Sequence, residues 1–192
     1  MDISRIFAIS ILLFDLVLFL TLLLRTVTNM YARGARSLLL VLLILIFMLQ
    51  FHANALLVQD AESRVFIFTF ELFFFMLLPV AWTVMTYEMS GIDVRKSWKI
   101  GLPMFLVNFL FFGYLQSLRD PGPPAYSFSN CQTVGFITDC DGIFETITFV
   151  FFLLMFLEII GGVAYLIWYY FRYPNTKDRS QFVVLGGSII SI

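Results

Sequence analysis

The chain is 192 residues long, 60% apolar, 18% aromatic and only 13% charged, with a formal net charge of -1. A soluble domain is about 45–50% apolar and about 25% charged, so the composition excludes one, and its aromatic content excludes disorder. The charge balance offers no basic footprint for nucleic acid. At roughly 20 residues per membrane span, the length suits five or six helices and little else. An all-α, polytopic helical bundle embedded in the bilayer is expected.

Five apolar stretches follow in order. The first, from about Ile6 to Leu24, is closed by Arg25. Its apolar run is about twice a signal-peptide core, and no small-residue cleavage pattern follows it. It also contains Asp15, so it stays as a helix. The second runs from about Leu38 to Val58, the third from Val65 to Met89, the fourth from Ile100 to Leu115, and the fifth from Ile143 to Phe171. A sixth begins near Phe182 and is still apolar at Ile192. That remnant is too short to cross about 30 Å of hydrocarbon, which leads to the expectation that the native protein continues. No internal repeat is evident.

Basic residues orient the bundle. Arg25, Arg33 and Arg36 follow span 1; Arg95, Lys96 and Lys99 follow span 3; Arg172, Lys177 and Arg179 follow span 5. These are nine of the twelve Lys and Arg residues. The other side has Arg5, Arg64 and Arg119 among Asp2, Asp60, Glu62, Asp120, Asp139 and Asp141. The N-terminus is therefore expected outside, in a multi-pass protein of the cell membrane.

The sizeable polar segment, about 116–142, then lies outside. It contains Pro121, Gly122, Pro123 and Pro124, which stop a helix. It also holds both cysteines, Cys131 and Cys140. In an oxidising compartment such a pair bridges. The bond would pin a local hairpin and contribute roughly 2–3 kcal/mol by loop entropy. Val134 to Ile137 reads as a short strand between them.

Polar residues inside spans are costly and are functional candidates. Asp15 lies near the midplane of span 1, and Glu158 in the inner half of span 5. For both, hydrogen-bonded glue between helices stands beside a functional role. His52 and Glu71 each fall about 9 Å below the outer boundary at 1.5 Å per residue. Gln50 and Asn54, four apart, share a helix face, and Glu145 sits near the boundary. An outward-opening pocket between spans 2, 3 and 5 is expected, with His52, Glu71, Gln50, Asn54 and Glu145 as ligand-binding candidates. A plain structural hydrogen bond is the competing reading of His52 and Glu71.

Pro79 and Pro103 each remove a helix hydrogen bond and are hinge candidates, although most membrane prolines only shape packing. Trp82, Trp98 and Trp168, with Tyr87, Tyr169, Tyr170 and Tyr173, read as an aromatic belt near the cytoplasmic boundary. The chain shows no phosphate-binding Gly-rich loop, no metal-spaced His/Cys cluster and no nucleophile elbow. Neither a catalytic centre, a metal site nor a cofactor is expected within it.

The stretch LLPVAWTVMTYEMSG (Leu77 to Gly91), followed by a basic loop and Trp98, resembles the N-terminal seven-helix sensor region of membrane histidine kinases. YPNTKDRSQFVVLGG (Tyr173 to Gly187) is similar to a second hallmark, a Pro-containing basic loop leading to Arg-x-Gln and a Gly in span 6. Phe47 and Phe51 stand in span 2 where the family often has tryptophan, and the cysteine pair is not a general family feature. The resemblance implies an input module that detects a small-molecule, lipid or membrane signal. It further implies a seventh span leading to a cytoplasmic histidine kinase or diguanylate cyclase, dimeric through that output domain. The alternative is a transporter or an accessory subunit of a membrane complex.

Overall fold

The computed structural model describes residues 3–28, 31, 34–58, 60–118, 126–134 and 137–172, the side chains of 3–12, 56, 130–134 and 137–141 excepted. Five helices alternate in direction: α1 (Ile3–Thr28), α2 (Ala35–Leu57), α3 (Ala61–Met89), α4 (Val94–Ser117) and α5 (Thr146–Arg172). Among the described residues, α2 to α5 are long and apolar enough to cross a membrane. The expected sixth span, the Arg33 and Arg119 positions and the Tyr173–Gly187 hallmark lie outside the described residues.

α3 and α4 begin before their apolar stretches, each behind an aspartate that caps it, whereas the fifth span begins later than expected because Ile143 and Phe144 belong to a strand. Asp60 Oδ1 accepts the Ser63 amide at 2.7 Å, and Asp93 Oδ1 accepts the Arg95 amide at 2.8 Å. Each satisfies a donor that the first helical turn leaves orphaned. At the far end of α3, Gly91 adopts φ 83°. The Ile92 amide donates to the Tyr87 carbonyl and the Gly91 amide to the Glu88 carbonyl. This is a Schellman closure, which needs a residue that tolerates the left-handed region. The Ser-Gly step of the TYEMSG stretch thereby becomes the turn into α4.

The Asp60 cap gives a pH signature. Its carboxylate sits below the ordinary value of 3.8 because it accepts hydrogen bonds from Ser63. A lowered folded-state pKa means the cap stabilises fully above the unfolded value and is lost as pH falls through the folded one. Protection of the Ser63 amide, its exchange rate relative to an unstructured peptide at the same pH, is expected to hold down to the ordinary Asp range and to fall only in stronger acid. Asp60→Ala should lack that protection at every pH, and Asp60→Asn should keep it throughout.

α3 is the central element, packed against α2, α4, α5 and the first strand. One apolar cluster joins Leu72 and Met76 of α3 to Leu115, Tyr126, Phe151 and Met155. A second joins Val41 and Ile44 of α2 to Ala81, Trp82, Met85 and Met89. Trp82 is therefore a core residue, not a member of the boundary belt. The reason is helical phase: it lies on the same α3 face as Met85 and Met89.

The bundle is not purely helical. Strands β1 (Tyr126–Val134) and β2 (Ile137–Phe144) form an antiparallel hairpin that leans on α3 and α2. The strand expected at Val134 to Ile137 is corrected: Val134 ends one strand and Ile137 begins the other, paired with each other. Ordinary pairing is interrupted between Ser129 and Gln132. There Asn130 and Cys131 together face Cys140, a bulge in the sense of two residues against one.

Candidate functional site

The structure brings His52 and Glu71 together across the α2–α3 seam. Nδ1 lies 3.2 Å from Oε1, with the side chains 51% and 20% exposed. An ionised carboxylate can only accept, so Nδ1 then carries the proton and donates. His52 is five residues, about 7 Å, from the hairpin end of α2. Around the pair the seam is aromatic: Phe51 stacks on Phe70 and on Phe74, and Phe47 on Phe74, at 5.1–5.5 Å. Such rings hold the two helices in register while Phe47, Phe66 and Phe70 keep exposed faces.

The other candidates are distributed differently. Gln50 donates through Nε2 to Asn54 Oδ1 at 3.4 Å, along one helix face. Glu145 is exposed and directly precedes α5, where its carbonyl accepts the Thr148 amide. Asp15 is partly buried in α1. Pro79 is buried in α3 and Pro103 is exposed in α4, each inside a continuous helix. Cys131 and Cys140 are placed by their backbone alone, their side chains lying outside those described.

Glu158 has a partner the residue pattern did not reveal. Asn108, fully buried in the middle of α4, donates through Nδ2 to Glu158 Oε2 at 3.0 Å and to the Met76 carbonyl at 3.4 Å. One amide thus ties α3, α4 and α5 together, one turn before Pro79. Its Oδ1 is buried and has no hydrogen-bond partner among the described residues. The sequence signal was available, an amide in the apolar run LPMFLVNFLFF, but it carries no charge to draw attention.

Two further polar contacts close the ends of the bundle. Glu88, buried near the end of α3, accepts the Ser37 hydroxyl at 2.7 Å on Oε2, while Oε1 has no partner among the described residues. At the other end the Tyr126 hydroxyl meets Thr69 Oγ1 at 2.7 Å and Gln116 Nε2 at 3.1 Å. Thr69 Oγ1 also bonds the Val65 carbonyl at 2.8 Å and must donate there. The Tyr126 proton therefore goes to Thr69, and Gln116 donates to Tyr126.

No family model matches the chain, and neither a curated protein nor a solved structure matches it.

Proposed function

We propose that the chain is a membrane-embedded sensory input module that detects an extracytoplasmic or membrane signal at the His52–Glu71 seam. The observation that carries the reading is that pair: an imidazole and a carboxylate joining two helices within the apolar zone, half open, beside the docked hairpin. Ionisable groups are costly there and favour a functional role. α3 contributes Glu71 and touches α2, α4, α5 and β1, so a ligand that alters the α2–α3 seam shifts the helix on which those four elements pack. A two-state shift of α3, with the turn at Pro79 as hinge, is the mechanism.

The proposal extends to five spans in the described region with the N-terminus outside, in the cell membrane, because the loops opposite the hairpin hold most of the basic residues. It includes a Cys131–Cys140 disulfide, favoured by the bulge that sets Cys131 beside Cys140 across the hairpin. By the resemblance of Leu77 to Gly91, the output is a cytoplasmic histidine kinase acting as a dimer, and the ligand is a small molecule or a lipid.

His52→Ala and Glu71→Ala are each expected to reduce signalling output at least tenfold at unchanged protein level, read as phosphorylation or reporter activity in membranes. A full response in both variants removes the seam from the mechanism. The alternative, a transporter, is favoured by the mid-span Asn108–Glu158 contact beside Pro79. Substrate accumulation in liposomes, with no ligand-dependent output, would select it.

A further inference from the structure

α4 and α5 both pack along α3 but scarcely touch each other. They meet where Asn108 donates to Glu158 and where Phe111 stacks on Phe151, with ring centroids 5.5 Å apart. Ile100 and Val107 share the α4 face of Phe111 by helical spacing, yet they are 40% and 54% exposed. On α5, Gly161 and Trp168 lie on the flank of Glu158 that turns away from buried Gly162. Trp168 is 55% exposed, and a Cβ on Gly161 would meet nothing within 4 Å. A cleft between α4 and α5 therefore lies open to the bilayer, from the level of Glu158 to the Arg172 end of α5.

Lipid alone suits the walls of this cleft but not its head. Glu158 stands ten residues, about 15 Å, from Trp168 of the boundary belt, and it is only partly buried. Asn108 serves one of its oxygens, Oε2. A carboxyl that faces hydrocarbon is expensive, and a neighbouring helix that offers a hydrogen bond relieves the cost.

The sequence after α5 supplies a matching stretch. Nine residues, 173–181, lead to Phe182–Ile192, FVVLGGSIISI. That connection is close to the length that joins neighbouring helices in bundles, and consecutive elements are usually adjacent in space. At the helical rise, Ser191 falls nine residues, about 14 Å, past Phe182, which is the level of Glu158 above the belt. Gly186, Gly187 and Ser188 are small and suit close approach to another helix, as Gly161 does on α5.

We propose that Phe182–Ile192 seats in the cleft between α4 and α5, antiparallel to α5, with its serine hydroxyls hydrogen-bonded to Glu158. The sixth span thereby joins the two helices along their inner halves and covers the carboxyl that they leave facing lipid. The seat is separate from the His52–Glu71 seam and does not depend on the sensory reading.

Benzoylphenylalanine would be placed at Val107 or Trp168 of the full chain in lipid nanodiscs, and the photo-cross-linked peptides mapped by mass spectrometry. Mixing light and heavy isotope-labelled chains before reconstitution separates products within one chain from those between two. Both positions are expected to capture 182–192 of the same chain, whereas Ile160, exposed on the far side of α5, should not. Capture of lipid alone, capture of a second copy, or equal capture from Ile160 overturns the proposal. Glu158→Leu should lower the capture from Trp168 by about threefold or more, the scale of one hydrogen bond between helices in a membrane. Glu158→Gln, which can still meet a hydroxyl, should largely retain it; undiminished capture in a folded Glu158→Leu overturns the role of the carboxyl. Should the Glu158 variants not fold, the double variant Ser188→Ala/Ser191→Ala probes the same contact from the segment itself. Reduced capture is expected there as well, and capture equal to that of the unaltered chain overturns the proposal.

Discussion

Tyr126→Ala is expected to release the hairpin from the bundle, at a cost of about 3–5 kcal/mol, the range for truncating a buried aromatic. Tyr126 is 1% exposed although it belongs to a strand outside the helices. Its ring packs edge-on to Phe68 at 4.9 Å and belongs to the cluster of Leu72, Met76, Leu115, Phe151 and Met155. It is the side chain by which a two-stranded ribbon, unstable alone in water, is fastened to three helices. A bond between Cys131 and Cys140 would hold the hairpin to itself but not to the bundle. Tyr126→Phe separates the contributions. Thr69 keeps its bond to the Val65 carbonyl, and partly exposed Gln116 can turn to water. The hydroxyl alone is therefore worth about 1 kcal/mol. Thermal unfolding in micelles, with proteolysis of 121–145 as a local probe, checks both. Protease resistance in Tyr126→Ala equal to that of the unaltered chain would show that the hairpin docks by other contacts.

The same residue shows why some of the molecule could be read in advance and some not. Helix existence follows from apolar length, and the depth of a residue follows from counting at 1.5 Å per residue. That arithmetic placed His52 and Glu71 at one level, and the structure makes the contact. Gln50 and Asn54 also met, because spacing within one helix is fixed by its pitch. Glu145 did not join them through any described side-chain bond, since depth alone says nothing about which way a residue faces. Asn108 and Glu158 depend on how α4 and α5 are rotated about their axes, which hydropathy does not encode. Tyr126 depends on a turn out of the membrane and back, through a segment whose prolines mark an interruption but not a direction. Trp82 was misplaced for a related reason. An aromatic near a span end reads as a boundary anchor, and only its phase relative to Met85 and Met89 puts it in the core.

That phase also governs the other large effect expected. Gly161 and Gly162 are adjacent in α5 and indistinguishable by composition, yet they should respond oppositely to substitution. A Cβ at Gly161 meets nothing within 4 Å. A Cβ at Gly162 would lie 2.5 Å from Trp82 Nε1 and 2.6 Å from Cδ1. The indole cannot step aside cheaply, because it is packed with Val41, Ile44, Ala81 and Met85. Helices in a bilayer associate through close packing more than through expulsion of water, so forcing α5 away from α3 at Trp82 loosens the contact between them at that end. Gly162→Val is expected to destabilise by about 3 kcal/mol, the upper part of the overpacking range. Gly161→Val should stay within about 0.5 kcal/mol. Trp82→Ala removes the obstructing ring, so Gly162→Val introduced on that background should cost much less than it does alone. The coupling in that double-mutant cycle, measured by denaturant unfolding in micelles, reports the contact itself. Additive effects would mean that the glycine serves α5 alone and not its seat on α3.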